Sequence, residues 1–241
     1  MIESINNEKV KSWARLNDKK YQKETNLFLV EGEHLVEEAF KCGRLREVIV
    51  LDGIDCKYEN FYKVSEQVMR KISTLTNVPR MVGVARMPKP HEVEGNVLLL
   101  DGVQDPGNMG TIIRSAVAFG VNTIVLGEGS VSIYNPKVVR ATEGLLFHIN
   151  IIEASIENMI LELQKEGYTT YSSKVDGGTN IADIEFSKKS AIVVGNEGKG
   201  VRQSTSDLCD EYLYIPMRET CESLNVGVAT SIILYELSKN I

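Results

Sequence analysis

Apolar residues fill positions 27–30 and then recur as Leu35, Val36, Ala39 and Phe40 at helical spacing, which predicts a short strand followed by a helix with one buried face. Cys42-Gly43 closes that helix, because glycine suits the left-handed conformation found at helix ends. The runs at 47–51 and 81–85 read as strands and 65–72 as a helix, so the first part of the chain is a small α/β unit. Between 87 and 95, two prolines and a glycine among charged residues break both the helical and the strand period. A linker is expected there, dividing the chain into domains at 1–88 and 96–241.

Beyond the linker the pattern changes to short apolar or β-branched runs at 96–100, 123–126, 169–172, 190–194 and 212–215, separated by helical stretches such as 109–119 and 156–166. Such alternation predicts an α/β domain with a mostly parallel sheet, covered on both faces. Open parallel sheets bind ligands beyond the carboxyl ends of their strands. The loops at 101–108, 127–134, 195–200 and 216–223 are therefore where chemistry is to be sought.

Composition adds limits. With 241 residues, 43% hydrophobic and 25% charged, the chain has enough apolar material to fold. No stretch approaches the roughly 18 apolar residues that span a bilayer, and the first residues lack a basic segment followed by an apolar run, so a cytoplasmic protein with no membrane partner is expected. Cys42, Cys56, Cys209 and Cys221 have no paired spacing, so they are expected to be free thiols, with no metal site. The net charge of −6 speaks against indiscriminate coating of nucleic acid but leaves room for a local basic patch. Lys9, Lys11, Arg15, Lys19, Lys20 and Lys23 gather around Trp13 and Tyr21, a combination able to meet phosphates and stack on bases. A solvated amphipathic helix accounts for the same spacing, and periodicity alone favours it.

Three C-terminal segments carry candidate chemistry. In the first, Asn108 is a suitable N-cap, and Asn108, Thr111 and Arg114 fall three residues apart along one side of a helix. The rise from Asn108 to Arg114 is about 9 Å. A capping asparagine and a surface arginine would show the same spacing. The second segment, Gly195-Asn-Glu-Gly-Lys-Gly200, fits neither of the glycine-rich patterns that cradle nucleoside triphosphates or dinucleotides. Its glycines serve either a tight turn or close approach to a ligand, and Glu197 is placed to pair with Arg114 or orient a hydroxyl. In the third, Ser223 reads as an N-cap whose following amides, at Leu224 and Asn225, are free to meet a polar ligand. The helix after it is apolar around most of its circumference and must be covered on more than one side.

Together these segments resemble the three motifs of the SpoU (TrmH) family of the SPOUT superfamily, RNA ribose 2′-O-methyltransferases. The matching pieces are Asp101-Gly-Val-Gln-Asp-Pro-Gly-Asn-Met-Gly-Thr-Ile-Ile-Arg114, Gly195-Asn-Glu-Gly-Lys-Gly-Val201, and Ile215-Pro-Met217 with Glu222-Ser-Leu-Asn-Val226. Tyr134-Asn-Pro-Lys-Val-Val-Arg140 and Gly144 are similar to the family as well, and the likeness runs from about Val97 onward. Any one motif is weak; the ordered set is specific. Tyr21-Gln-Lys23 and Phe28-Leu-Val-Glu-Gly-Glu-His-Leu-Val-Glu-Glu-Ala39 resemble the family's N-terminal SpoU-type substrate-binding domain, which is similar to an RNA-binding ribosomal protein. Two positions depart from the pattern: Glu219 stands where a glycine is usual, and Glu143 precedes Gly144 where a small or apolar residue is usual.

The resemblance implies a SPOUT parallel-sheet domain with a C-terminal trefoil knot, a homodimer, S-adenosyl-L-methionine as cofactor and RNA as partner. Ribosomal RNA is the expected substrate; transfer RNA, or a non-catalytic relative that assists ribosome assembly, is the alternative. By the same resemblance Arg114, Asn108, Glu197, Ser223 and Asn225 form the catalytic set, with Glu197 orienting Arg114. Gly195, Ile215, Leu224, Asn225 and Met217 hold the cofactor, and Arg114, Lys137, Arg140, Arg15 and Lys23 meet RNA. A guanidinium is effectively never deprotonated in proteins, so Arg114 is expected to position the ribose and stabilise developing alkoxide charge rather than act as a base.

Overall fold

A computed structural model of the chain describes residues 1–175 and 177–239. The chain forms two compact units. One comprises Met1–Lys89 together with Ser132–Phe147, the other Pro90–Val131 and the chain from His148 onward.

The first unit runs α1 (Glu8–Arg15), α2 (Lys19–Thr25), β1 (Leu27–Glu31), α3 (Glu33–Lys41), β2 (Leu45–Leu51), β3 (Phe61–Val64), α4 (Glu66–Ile72) and β4 (Met81–Arg86). Its four strands are ordered β1-β4-β2-β3, with β4 antiparallel to both neighbours and β3 parallel to β2. Apolar faces of α1 and α4 bury Val10, Trp13, Val68, Met69 and Ile72 against Leu29, Ile49, Val82 and Val84 of the sheet. The side chains of Asn7, Asp18 and Ser65 cap α1, α2 and α4, each accepting a hydrogen bond from an amide of its own helix's first turn. Trp13 is buried and its Nε1 donates to Glu47 Oε1 at 2.9 Å, so it is a core residue and offers no face to a base. The apolar periodicity of α1 is thus accounted for by packing of Val10 and Trp13 on the sheet.

The chain continues with β5 (Asn96–Asp101), α5 (Pro106–Ala118) and β6 (Val121–Leu126), then α6 (Pro136–Ala141), β7 (Asn150–Glu153), α7 (Ile156–Lys165), β8 (Thr169–Lys174), β9 (Thr179–Asn180), β10 (Ser190–Gly195), α8 (Gln203–Ser206), β11 (Glu211–Tyr214) and α9 (Val226–Ser238). The strands form one seven-stranded sheet in the order β7-β6-β5-β10-β8-β11-β9, parallel at every pairing. Strands β5 and β10 are buried along their whole length, as expected of strands covered on both faces.

The segment Ser132–Phe147, expected in the C-terminal domain, packs within the first unit. The reason is visible in its contacts. The Phe28 ring meets Tyr134 at 4.8 Å and Phe147 at 5.9 Å, and Gln22 Nε2 donates to Tyr134 O at 3.2 Å. Arg140 of α6 donates to the buried carboxylate of Glu31 at 2.5 Å, and Thr74 donates to the same carboxylate through its amide and hydroxyl. Glu143 adopts a left-handed conformation (φ 50°) beside Gly144, its side chain exposed and 3.9 Å from His34 Nε2.

Candidate functional site

Strands β5 and β10 lie side by side and end in register, Gly195 opposite Asp101, so the loops that leave them start from one point. The loop after β10 is a tight turn in which Asn196 and Gly200 exchange backbone hydrogen bonds of 3.0 and 2.9 Å. Gly195 is obligatory there: a Cβ on it would lie 2.0 Å from the backbone of Gly200 and Val201.

This turn holds the loop after β5 through Glu197. Its carboxylate accepts from the amides of Gln104 at 3.2 Å and Asp105 at 2.9 Å, and from Asn108 Nδ2 at 3.1 Å. Burial tends to raise the Glu197 pKa, but the amides of Asp105 and Glu197 itself, the Asn108 side chain and the Gln104 amide outweigh it, and the carboxyl lies below the usual range. Asn225 Nδ2 in turn donates to Asn108 Oδ1 at 2.8 Å, while Asn225 Oδ1 caps α9 through the amides of Gly227 and Val228. One hydrogen-bonded chain, Glu197 to Asn108 to Asn225, thus joins all three motif segments.

Two helix starts differ from expectation. The N-cap of α5 is Asp105, which accepts from the Asn108 amide, with Pro106 at the first helical position. The N-cap of α9 is Asn225 rather than Ser223. Asn108 and Ser223 are thereby released from capping. Glu197 is engaged by backbone and Asn108, not by Arg114. Arg114 is exposed on α5, and among the described residues no hydrogen bond or ion pair holds it.

A cavity of about 590 Å³ opens beyond the strand ends. Gly195, Ile215, Met217 and Leu224 line it, together with Glu197 and Ser223. Leu213 and Ile233 add apolar wall, and Lys174, at the end of β8 with its Nζ 3.5 Å from the Tyr212 ring centre, adds a cation that the sequence reading did not single out. Its position at a strand's carboxyl end was the available signal. The volume and the mixed lining suit a ligand of nucleoside size. Glu219 is exposed and does not line this cavity.

Of the residues expected to meet RNA besides Arg114, all lie in the first unit. Lys137 and Lys23 are exposed. Arg15 is exposed, with its guanidinium 4.0 Å from the Tyr21 ring centre. Arg140 is instead engaged with Glu31.

A wholly parallel sheet with a mixed polar and apolar cavity at its central strand ends defines an α/β domain built to hold a small ligand at those ends. The chain belongs to the SpoU rRNA methylase family, whose model matches residues 95–235, and an MRM3-like substrate binding domain matches residues 7–83. It is 39% identical over 248 residues to the 23S rRNA (guanosine(2553)-2′-O)-methyltransferase RlmP of Bacillus subtilis (strain 168), with 98% of each chain covered. The AdoMet-bound rRNA methyltransferase from Sinorhizobium meliloti is similar in structure, with a TM-score of 0.88 at 28% identity over 100% of this chain and 97% of that one. A solved RNA 2′-O ribose methyltransferase gives a TM-score of 0.85 at 27% identity over 99% of this chain and 98% of that one.

Proposed function

We propose that this protein transfers a methyl group from S-adenosylmethionine to a ribose 2′-hydroxyl of ribosomal RNA. The observation that carries the reading is the convergence of the segments after β10 and β11 and before α9 on one cavity, in a chain of the SpoU family. Gly195, Ile215, Met217 and Leu224 would hold the cofactor, which supplies an electrophilic methyl group on a sulfonium centre.

The chain's own groups account for the remaining requirements. Arg114 is exposed and has no competing partner among the described residues, so its guanidinium is available to hold a phosphate and to stabilise the alkoxide that develops as the hydroxyl attacks. Asn108 has one amide N–H on Glu197 and one carbonyl lone pair on Asn225, which leaves one donor and one acceptor position for the ribose. Glu197, held below its ordinary pKa, is a weak base and acts by fixing Asn108 and the loop after β5.

The finer parts of the reading are a cytoplasmic location, a trefoil knot in the C-terminal segment and a homodimer. No helix among the described residues is long and apolar enough to cross a membrane. The half-exposed Val228 and Tyr235 lie two turns apart on α9, an uncovered apolar strip that supports self-association. Purified protein incubated with S-adenosylmethionine and ribosomal or transfer RNA should leave a single alkali-resistant linkage in the ribosomal RNA, located by mass spectrometry. A methyl group on a base, or on transfer RNA alone, would overturn it.

A further inference from the structure

We propose that Asp101 and Arg202, neither of which lines the cavity, are positioning residues that set the cofactor loop; this rests on reading the cavity as the S-adenosylmethionine site. Asp101 is the last residue of β5, and its carboxylate is almost fully enclosed, with 1% of the side chain exposed. An enclosed carboxylate requires donors. Among the described residues these come from Arg202: the backbone amide at 2.9 Å to Oδ2, and Nε at 2.7 Å and Nη2 at 2.6 Å to Oδ1. Arg202 stands at the N-cap of α8 but gives that helix no side-chain cap. Its guanidinium turns to Asp101 instead, with Glu157 of α7 3.4 Å from Nη2.

The consequence lies in what the pair encloses. Residues 195–201 all line the cavity, and Arg202 is the next residue. The loop is tied to the end of β5 at its start, where Asn196 Nδ2 donates to Gly102 O at 2.8 Å, and again at its close by Asp101. The arrangement is reciprocal. Asp101, on β5, holds the loop after β10, while Glu197, on that loop, holds the loop after β5. Loss of the Asp101 contact frees the far end of the turn, whereas Glu197 near its start keeps its own bonds to Gln104, Asp105 and Asn108, so the larger effect is expected on the cofactor side rather than on RNA.

The test is calorimetric titration of the full-length protein with S-adenosylmethionine, for the unaltered chain, Asp101→Asn and Arg202→Lys, paired with separate KM values for cofactor and RNA. Arg202→Lys keeps the charge but loses the two-pronged contact. Cofactor affinity is expected to fall about tenfold or more in both variants, with the KM for RNA changing less than about twofold. Should Asp101→Asn fail to fold, Arg202→Lys still decides, because that side chain is 47% exposed. Unchanged cofactor affinity in Arg202→Lys, or equal losses toward cofactor and RNA with a lowered melting temperature, would overturn the positioning role. Absence of cofactor uptake by the unaltered chain would instead overturn the reading of the cavity.

Discussion

The two units use similar residue types for opposite purposes. In the first, aromatic and basic residues satisfy one another: Trp13 donates to Glu47, Lys9 lies 4.3 Å from the Tyr62 ring centre, and Arg140 neutralises the buried Glu31. In the second, polar side chains from three loops meet at one place, and the exposed Arg114 of α5 has no partner among the described residues. An arginine in sequence therefore says little until its surroundings are known. Where a buried carboxylate lies opposite, it is part of the fold; where none does, it is available to a substrate.

That contrast can be broken or sharpened by substitution. Arg114→Ala should cost about two to three orders of magnitude in methyl transfer, the scale set by losing one donor to a developing oxyanion. Its melting temperature should stay at the unaltered value, and full activity would remove Arg114 from the mechanism. Arg140→Ala should do the reverse. By removing the counter-charge of the buried Glu31 carboxylate and leaving it the Thr74 donors, it should destabilise the first unit by about 3 kcal/mol in urea unfolding, whereas Arg15→Ala, which ends only an exposed contact with Tyr21, should cost under about 1 kcal/mol. Equal costs would show that burial of Glu31 does not set the difference.

Glu197→Gln should lower activity by about tenfold, having lost a charged acceptor shared by three donors. It should also change the response to acid. Because the Glu197 pKa is lowered in the folded protein, its ionised form stabilises the fold above the ordinary carboxylate range, and that contribution disappears as pH falls through the lowered value. Melting curves of the unaltered chain should therefore decline through this window more steeply than those of Glu197→Gln, and parallel curves would exclude the effect. The smallest change is expected from Glu219→Gly. As Glu219 does not line the cavity, titration should give a cofactor affinity within about twofold of the unaltered chain.

Much of the second unit is legible because the central strands β5 and β10 appear as near-continuous apolar runs, while β6, β8 and β11 show through their β-branched and aromatic residues. β3, β7 and β9 were missed. They have two to four residues each, and what makes them strands is their pairing with β2, β6 and β11, which local pattern does not contain. The segments lining the cavity were found through the ordered motifs, while the bonds among them were not. Asn108 has the residue type of a cap, but Asp105-Pro106, three residues earlier, is the stronger start signal and forms the actual one. Charge complementarity suggests pairing of Glu197 with Arg114, yet the amides of Gln104 and Asp105 and the side chain of Asn108 define its place. Asp101 offered a signal that was overlooked: a carboxylate directly after four buried apolar residues has to find donors where its strand ends.

The segment Ser132–Phe147 leaves one unit, packs in the other and returns. The two halves of this protein are consequently not cassettes. A fragment cut at the linker would carry Tyr134 and Phe147 without Phe28, and Arg140 without Glu31, exposing an aromatic surface and an unpaired cation that the intact chain conceals. Exchanging substrate-binding domains between relatives to redirect specificity would succeed only if this insertion travelled with its host.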